Sequence, residues 1–200
     1  MDEKKLTSLF KKEGSEISDL GSTLDMSGLS KLIEIINTCQ HNIFITGCGT
    51  SAMAAKKAVH TLRVVNKTTF YLNPSDAVHG ALGTVHENDL VIIISKGGNT
   101  AELVSFLPNL KEKNTFIIAI TENLNSKIAQ ASDFVFRVHV KKELDEFNML
   151  ATASTMAVIS VFDVVAVVLM NLDHFSESQF LVNHPSGDVG ERLKKDIKQA

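Results

Sequence analysis

Cysteine is nearly missing from this sequence: Cys39 and Cys48 are the only two in 200 residues. They cannot build a disulfide framework, and a reducing compartment is expected. Blocks of lysine and arginine are missing too. Twenty basic residues stand against 23 acidic ones, for a net charge of -3, so the electrostatic footprint of a nucleic-acid binder is absent. An anionic small molecule stays open, because a few oriented backbone amides can hold a phosphate without a basic surface. The amino terminus, Met1-Asp2-Glu3-Lys4-Lys5, lacks the apolar core of a signal peptide, and a cytoplasmic location is expected. The histidines are scattered, without His-x-x-x-His or Cys-x-x-Cys spacing, which argues against a metal site. Internal repeats and low-complexity segments are also missing.

One long apolar run is present. Ala151 to Met170 is long enough to cross a bilayer. It also carries Thr152, Ser154, Thr155, Ser160 and Asp163, and an aspartate in mid-bilayer is costly. A fully buried helix at a subunit interface is expected there, not a membrane span.

The remaining pattern, 44% hydrophobic, suits one domain over residues 1–200. Residues 1–40 read as amino-terminal helices: apolar residues recur at helical spacing over 3–19 and 27–39, separated by a turn at Gly21-Ser22. An α/β core is expected over 41–193 and a polar tail over 194–200, with the residues after Gly190 reading as a short terminal helix. In the core, short apolar runs read as strands at Asn42–Thr46, Thr68–Leu72, Leu90–Ile94, Phe116–Ile120 and Phe134–Val138. Helical patterns fall at Ala52–Leu62, Ala101–Lys111 and Lys127–Ala131. Continuous apolar strands alternating with helices mark a doubly wound, five-stranded parallel sheet with helices on both faces. Ligands bind such sheets at the carboxyl ends of the strands.

Two of those ends carry loops with chemistry. Gly47-Cys48-Gly49-Thr50-Ser51 lies between a strand and a helix, where glycine lets backbone approach an anion and the hydroxyls sit beside free helix amides. An ordinary turn with a Thr or Ser cap fits the same residues. The third glycine of a dinucleotide fingerprint is absent, as is the Gly-Lys-Ser/Thr of a P-loop. Ser95-Lys96-Gly97-Gly98-Asn99-Thr100 repeats the device at a second strand. Two such turns at neighbouring strand ends can share one phosphate. Gly49, Thr50, Ser51, Ser95, Gly97 and Thr100 are the candidate phosphate-binding residues.

These two loops resemble the phosphate-binding loops of SIS (sugar isomerase) domains. Pro74–Gly83, Val140–Glu143 and the His184-Pro185-Ser186-Gly187-Asp188-Val189-Gly190 segment look closest to arabinose-5-phosphate isomerases. The resemblance implies a flavodoxin-like sandwich and a cofactor-free aldose–ketose isomerase acting on a phosphosugar. It also implies a homodimer or homotetramer with shared active sites. By the same resemblance His79, Glu143 and His184 supply the proton chemistry. Moving a proton between C1 and C2 through an enediol needs a base, an acid and a phosphate clamp, and neither a nicotinamide nor a metal is obligatory. His41, His60, His86, His139 and His174 have no motif around them and read as structural or exposed.

The sequence departs from that pattern at Thr50, where those isomerases typically carry Lys. It departs again at Gly97 and Asn99 (Ser and Glu), at Ala81 (Asp) and over Leu144–Leu150. Lys96 is the residue able to return the positive charge from the other loop. The regulatory cystathionine-synthase-like pair of many relatives does not follow the domain in this sequence. A phosphosugar-binding module without catalysis is the alternative reading.

Overall fold

The computed structural model describes residues 2–199, with side chains to Lys195. Five strands form one parallel sheet: β1 (Ile43–Gly47), β2 (Thr69–Tyr71), β3 (Leu90–Ile94), β4 (Phe116–Thr121) and β5 (Phe134–Arg137), in spatial order β2-β1-β3-β4-β5. In the central strands β1, β3 and β4 the runs of Ile, Val and Phe are buried on both faces apart from Phe116, as a sheet covered by helices requires. In β3, Leu90, Ile92 and Ile94 join one core, while Val91 and Ile93 join the other. Burying each such side chain contributes roughly 1.5–3 kcal/mol of transfer free energy.

The first face is covered by α1 (Glu3–Thr23), α2 (Met26–Thr38), α3 (Thr50–Val64) and α8 (Ala153–Leu172). Short helices cover the second: α4 (Pro74–Ala77), a 3-10 turn at Ala81–Thr84, α5 (Ala101–Val104), α6 (Leu107–Glu112) and α7 (Lys127–Ala131). Two further helices, α9 (Glu177–Asn183) and α10 (Gly187–Gln199), end the described chain. The winding reverses between β1 and β3, whose register pairs Gly47 with Ile94. That reversal opens a crevice at the carboxyl ends of the two strands.

Three expectations change. The turn placed at Gly21-Ser22 falls instead at Leu24-Asp25, because the Asp25 carboxylate accepts from the Ser27 amide and starts α2 there. Gly21 stays in α1, where nothing crowds it. The single helix expected over 101–111 breaks at Ser105-Phe106, since Pro108 can occupy only the first turn of a helix. The polar tail lies, as expected, in a terminal helix, α10, and its last residue, Ala200, lies outside the described residues. Finally, α8 is not fully buried in the monomer. Ala157, Val161, Phe162, Val165 and Leu169 pack inward, while Met156, Val164 and Val167 remain exposed.

Candidate functional site

The first loop leaves β1 through Gly47, whose position admits no side chain: a Cβ would stand 2.9 Å from the Ser51 backbone and 3.0 Å from the Ile94 carbonyl. Gly49 then takes a positive φ of 55° and starts α3 without a side-chain cap. The first amides of α3 therefore keep no intrahelical acceptor, and Thr50 and Ser51 stand beside them. Cys48 is half-buried; burial and then the charge of Glu102 push its thiol up, away from thiolate chemistry.

The second loop is tightly fastened. Ser95 is buried, its Oγ lies 2.9 Å from Thr100 Oγ1, and it accepts from the Gly98 amide at 3.1 Å. Gly98 has a φ of 67°, and a Cβ there would meet Ser126 Oγ at 2.0 Å. Asn99 Oδ1 accepts from the Lys127 amide at 3.0 Å, tying the loop to the next crossover. The Lys96 carbonyl accepts from the Glu122 amide and the Thr121 hydroxyl, each at 3.0 Å.

Between these loops and the start of α8 lies a cavity lined by Thr50, Ser51, Lys96, Thr121, Glu122 and Ser154, over an apolar floor of Ile94 and Ile120. The wall beside it is electrostatically set. Lys96 Nζ donates to Glu143 Oε1 at 2.7 Å. The other carboxylate oxygen accepts from the Thr152 amide and hydroxyl and the Ser154 amide at 2.9–3.1 Å. Glu143 is only 1% exposed. Burial alone would push its carboxyl up, but the donors from Lys96, Ser154 and Thr152 outweigh burial and hold it at about 2. The expectation of a charged stretch thus resolves into one buried anion at the amino end of α8, a favourable place for it. Lys12 of α1 donates to the carbonyls of Glu143 and Leu144, and Glu16 accepts from the Lys141 amide.

Of the sequence-predicted residues, Thr50 and Ser51 line the cavity, and Gly49, Ser95, Gly97 and Thr100 belong to the two loops beside it. Glu143 reaches it through Lys96. His79 is exposed in the loop between α4 and the 3-10 turn, its amide donating to the Asp76 carbonyl. His184 is elsewhere. Asn183 next to it donates to the carbonyl of Val64, at the far end of α3, about 20 Å along that helix from Thr50. His184 stacks on Phe180, and its Nδ1 is buried without a partner among the described residues.

Sequence reasoning missed Glu122 and His139. His139 Nδ1 lies 2.8 Å from Glu122 Oε1, so it is not isolated. The signal was position: Glu122 directly follows β4, at the carboxyl edge where ligands bind. Among the described residues, no group of three or more His, Cys, Asp and Glu side chains has a metal-binding arrangement.

A parallel sheet wound 2-1-3-4-5, with Gly/Ser/Thr turns at its reversal, defines a class: α/β domains that take an anionic ligand at the switch point. Within that class, residues 37–168 match the SIS domain model, and the chain belongs to the SIS domain family. It is 32% identical over 181 residues to the arabinose 5-phosphate isomerase KpsF of Escherichia coli, covering 90% of this chain and 57% of KpsF. To the arabinose 5-phosphate isomerase KdsD of Francisella tularensis it is 34% identical, covering 92% of this chain and 57% of KdsD. The chain thus spans somewhat over half the length of these curated relatives. Among solved structures, the E. coli CFT073 protein c3406, in complex with a sugar phosphate, superposes with a TM-score of 0.86 at 31% identity, covering 92% of this chain and all of that one. A Listeria monocytogenes protein assigned provisionally as a sugar-phosphate isomerase superposes with a TM-score of 0.89 at 45% identity, covering 93% of this chain and all of that one.

Proposed function

We infer that the chain is an aldose–ketose isomerase acting on a sugar phosphate, of the arabinose 5-phosphate/ribulose 5-phosphate type, working through an enediol and without a metal. The observation that carries this reading is the convergence of the Gly47–Ser51 and Ser95–Thr100 loops on one cavity with a fixed ammonium group, Lys96, at its edge. Amides and hydroxyls of Thr50 and Ser51 take the phosphate, with Ser95 and Thr100 stiffening the second loop. The sugar-phosphate complex of a protein 31% identical supports that ligand class.

Glu143 is given an electrostatic role. A carboxyl held at about 2 stays ionised at neutral pH, so it orients Lys96 and caps α8 instead of exchanging protons. His184 lies too far along α3 to meet the phosphate in its own subunit. It is proposed to act, with His79, in the site of a neighbouring subunit of a cytoplasmic homodimer or homotetramer. The exposed Met156, Val164 and Val167 stripe on α8 is the apolar face such an assembly would cover. One observation favours the non-catalytic alternative: Asn99 is spent on the Lys127 amide and the Gly97 carbonyl, offering a substrate no carboxylate.

The test is proton exchange followed by NMR in heavy water, with a panel of pentose and hexose phosphates and repeated after exhaustive chelation. Deuterium entering C1 or C2 of one sugar, undiminished by chelation, is the expected result. Tight binding of a sugar phosphate without exchange would leave the binding module as the answer.

A further inference from the structure

An isomerase at this cavity needs a base that is neutralised and regenerated near neutral pH, and within its own subunit the cavity offers few groups for it. Among the described residues its lining is mostly Ala, Ile, Val, Ser and Thr, with Lys96 as its one cation and Glu122 as its one carboxylate. Lys96 is committed as an ammonium group to Glu143. Glu143 itself is enclosed by four donor contacts and does not line the cavity. Serine and threonine hydroxyls do not accept protons from carbon without a base of their own.

Glu122 differs from Glu143 in each respect. It is partly exposed, 29% at the side chain, and borders the cavity. Its amide is fixed on the Lys96 carbonyl, and its own carbonyl accepts from Arg137 Nε at 3.2 Å. Among the described residues its side chain has one partner, His139, which follows β5. The hydrogen bond calls for the Nδ1–H tautomer of His139, which leaves Glu122 as the acceptor and its second oxygen free for a substrate. A base oriented by a third group is the arrangement that general-base catalysis repeatedly uses. The charged groups around the pair are Lys96, Arg137 and, behind Lys96, Glu143.

We propose that Glu122 is the base that carries the carbon-bound proton, and that His139 is its positioning residue. The proposal rests on the isomerase reading above. Glu122 takes the proton from C2 of the open-chain aldose. The C2–H electron pair becomes the C1–C2 double bond, and the carbonyl pair moves to O1, which takes a proton. The ketose forms as O2 releases its proton to solvent, balancing the one O1 took from it; the O2–H pair becomes the C2=O bond, and the C1–C2 pair takes back the proton Glu122 returns to C1. No oxidant or reductant enters.

The experiment measures turnover and carbon–deuterium exchange of arabinose 5-phosphate by the wild-type chain and its variants. Sugar-phosphate binding is titrated in parallel by NMR. Glu122→Gln is isosteric and should lower kcat about 10²- to 10⁴-fold, with sugar-phosphate affinity within about threefold of wild type because the clamp is separate. Glu122→Asp should recover part of the rate. His139→Ala should lower kcat while sugar-phosphate affinity stays near wild type, since the carboxylate loses the group that orients it. His139→Asn, whose amide can donate in place of Nδ1–H, should recover part of kcat, a rescue that a merely structural role would not give. A Glu122→Gln variant that turns over within about threefold of a working wild type overturns the assignment while leaving the isomerase standing. A wild-type chain that binds the sugar phosphate but exchanges no carbon-bound proton overturns both.

Discussion

Replacing Glu143 by glutamine keeps the shape of the side chain and removes its charge. In the folded chain this carboxyl sits at about 2 against an ordinary value of 4.5, a difference worth about 3 kcal/mol of stability at neutral pH. The variant leaves the Lys96 ammonium without its partner and turns an amide toward donors on Thr152, Ser154 or Lys96. Glu143→Gln should therefore cost about 3 kcal/mol, or about 6–12 °C in Tm for a domain of this size. The pH dependence carries the sharper signature. A carboxyl depressed by folding contributes fully above about pH 4.5, where its unfolded form is ionised, and its contribution fades as the pH falls toward 2. Urea unfolding of both proteins at pH 7, 5, 4 and 3 should give a gap that is constant in the first two and shrinks in the last two. A gap below about 0.5 kcal/mol at pH 7, or one of constant size throughout, would refute the buried-anion account.

Gly98→Ala should cost about 2–5 kcal/mol, because it combines a left-handed backbone with a Cβ driven into Ser126; the same variant should bind sugar phosphate more weakly, and a chain of wild-type stability would show that the loop gives way. Val167→Asp places a charge in the exposed apolar stripe of α8. It should lower the mass measured by light scattering and abolish turnover together, whereas a dissociated but active chain would remove His184 from the mechanism.

The sheet was legible because its central strands are buried on both faces and carry near-continuous apolar runs: Leu90–Ile94 was read to the residue. Helix ends were less so. Gly21 is tolerated in a solvent-facing position of α1, and nothing local shows that the Asp25 cap will decide the boundary. Both glycine-rich loops could be read from composition, since glycine is demanded there by close approach and by positive φ. Glu143 gave the opposite impression: its neighbours Lys141, Lys142, Asp145 and Glu146 speak for solvent, and only the fold reveals that it is enclosed by α8. Glu122 and His139 are separated by a whole crossover, so no local pattern could pair them.

The contact of Lys12 with the carbonyls of Glu143 and Leu144 makes the amino-terminal helix a strut for the far wall of the cavity. A helix that shares no hydrogen-bonded edge with the sheet thereby sets the height at which the buried carboxylate meets Lys96. Trimming or unwinding the first turns of α1 would spare every strand and both glycine turns, yet let that wall drift away from Lys96 and the mouth of the pocket.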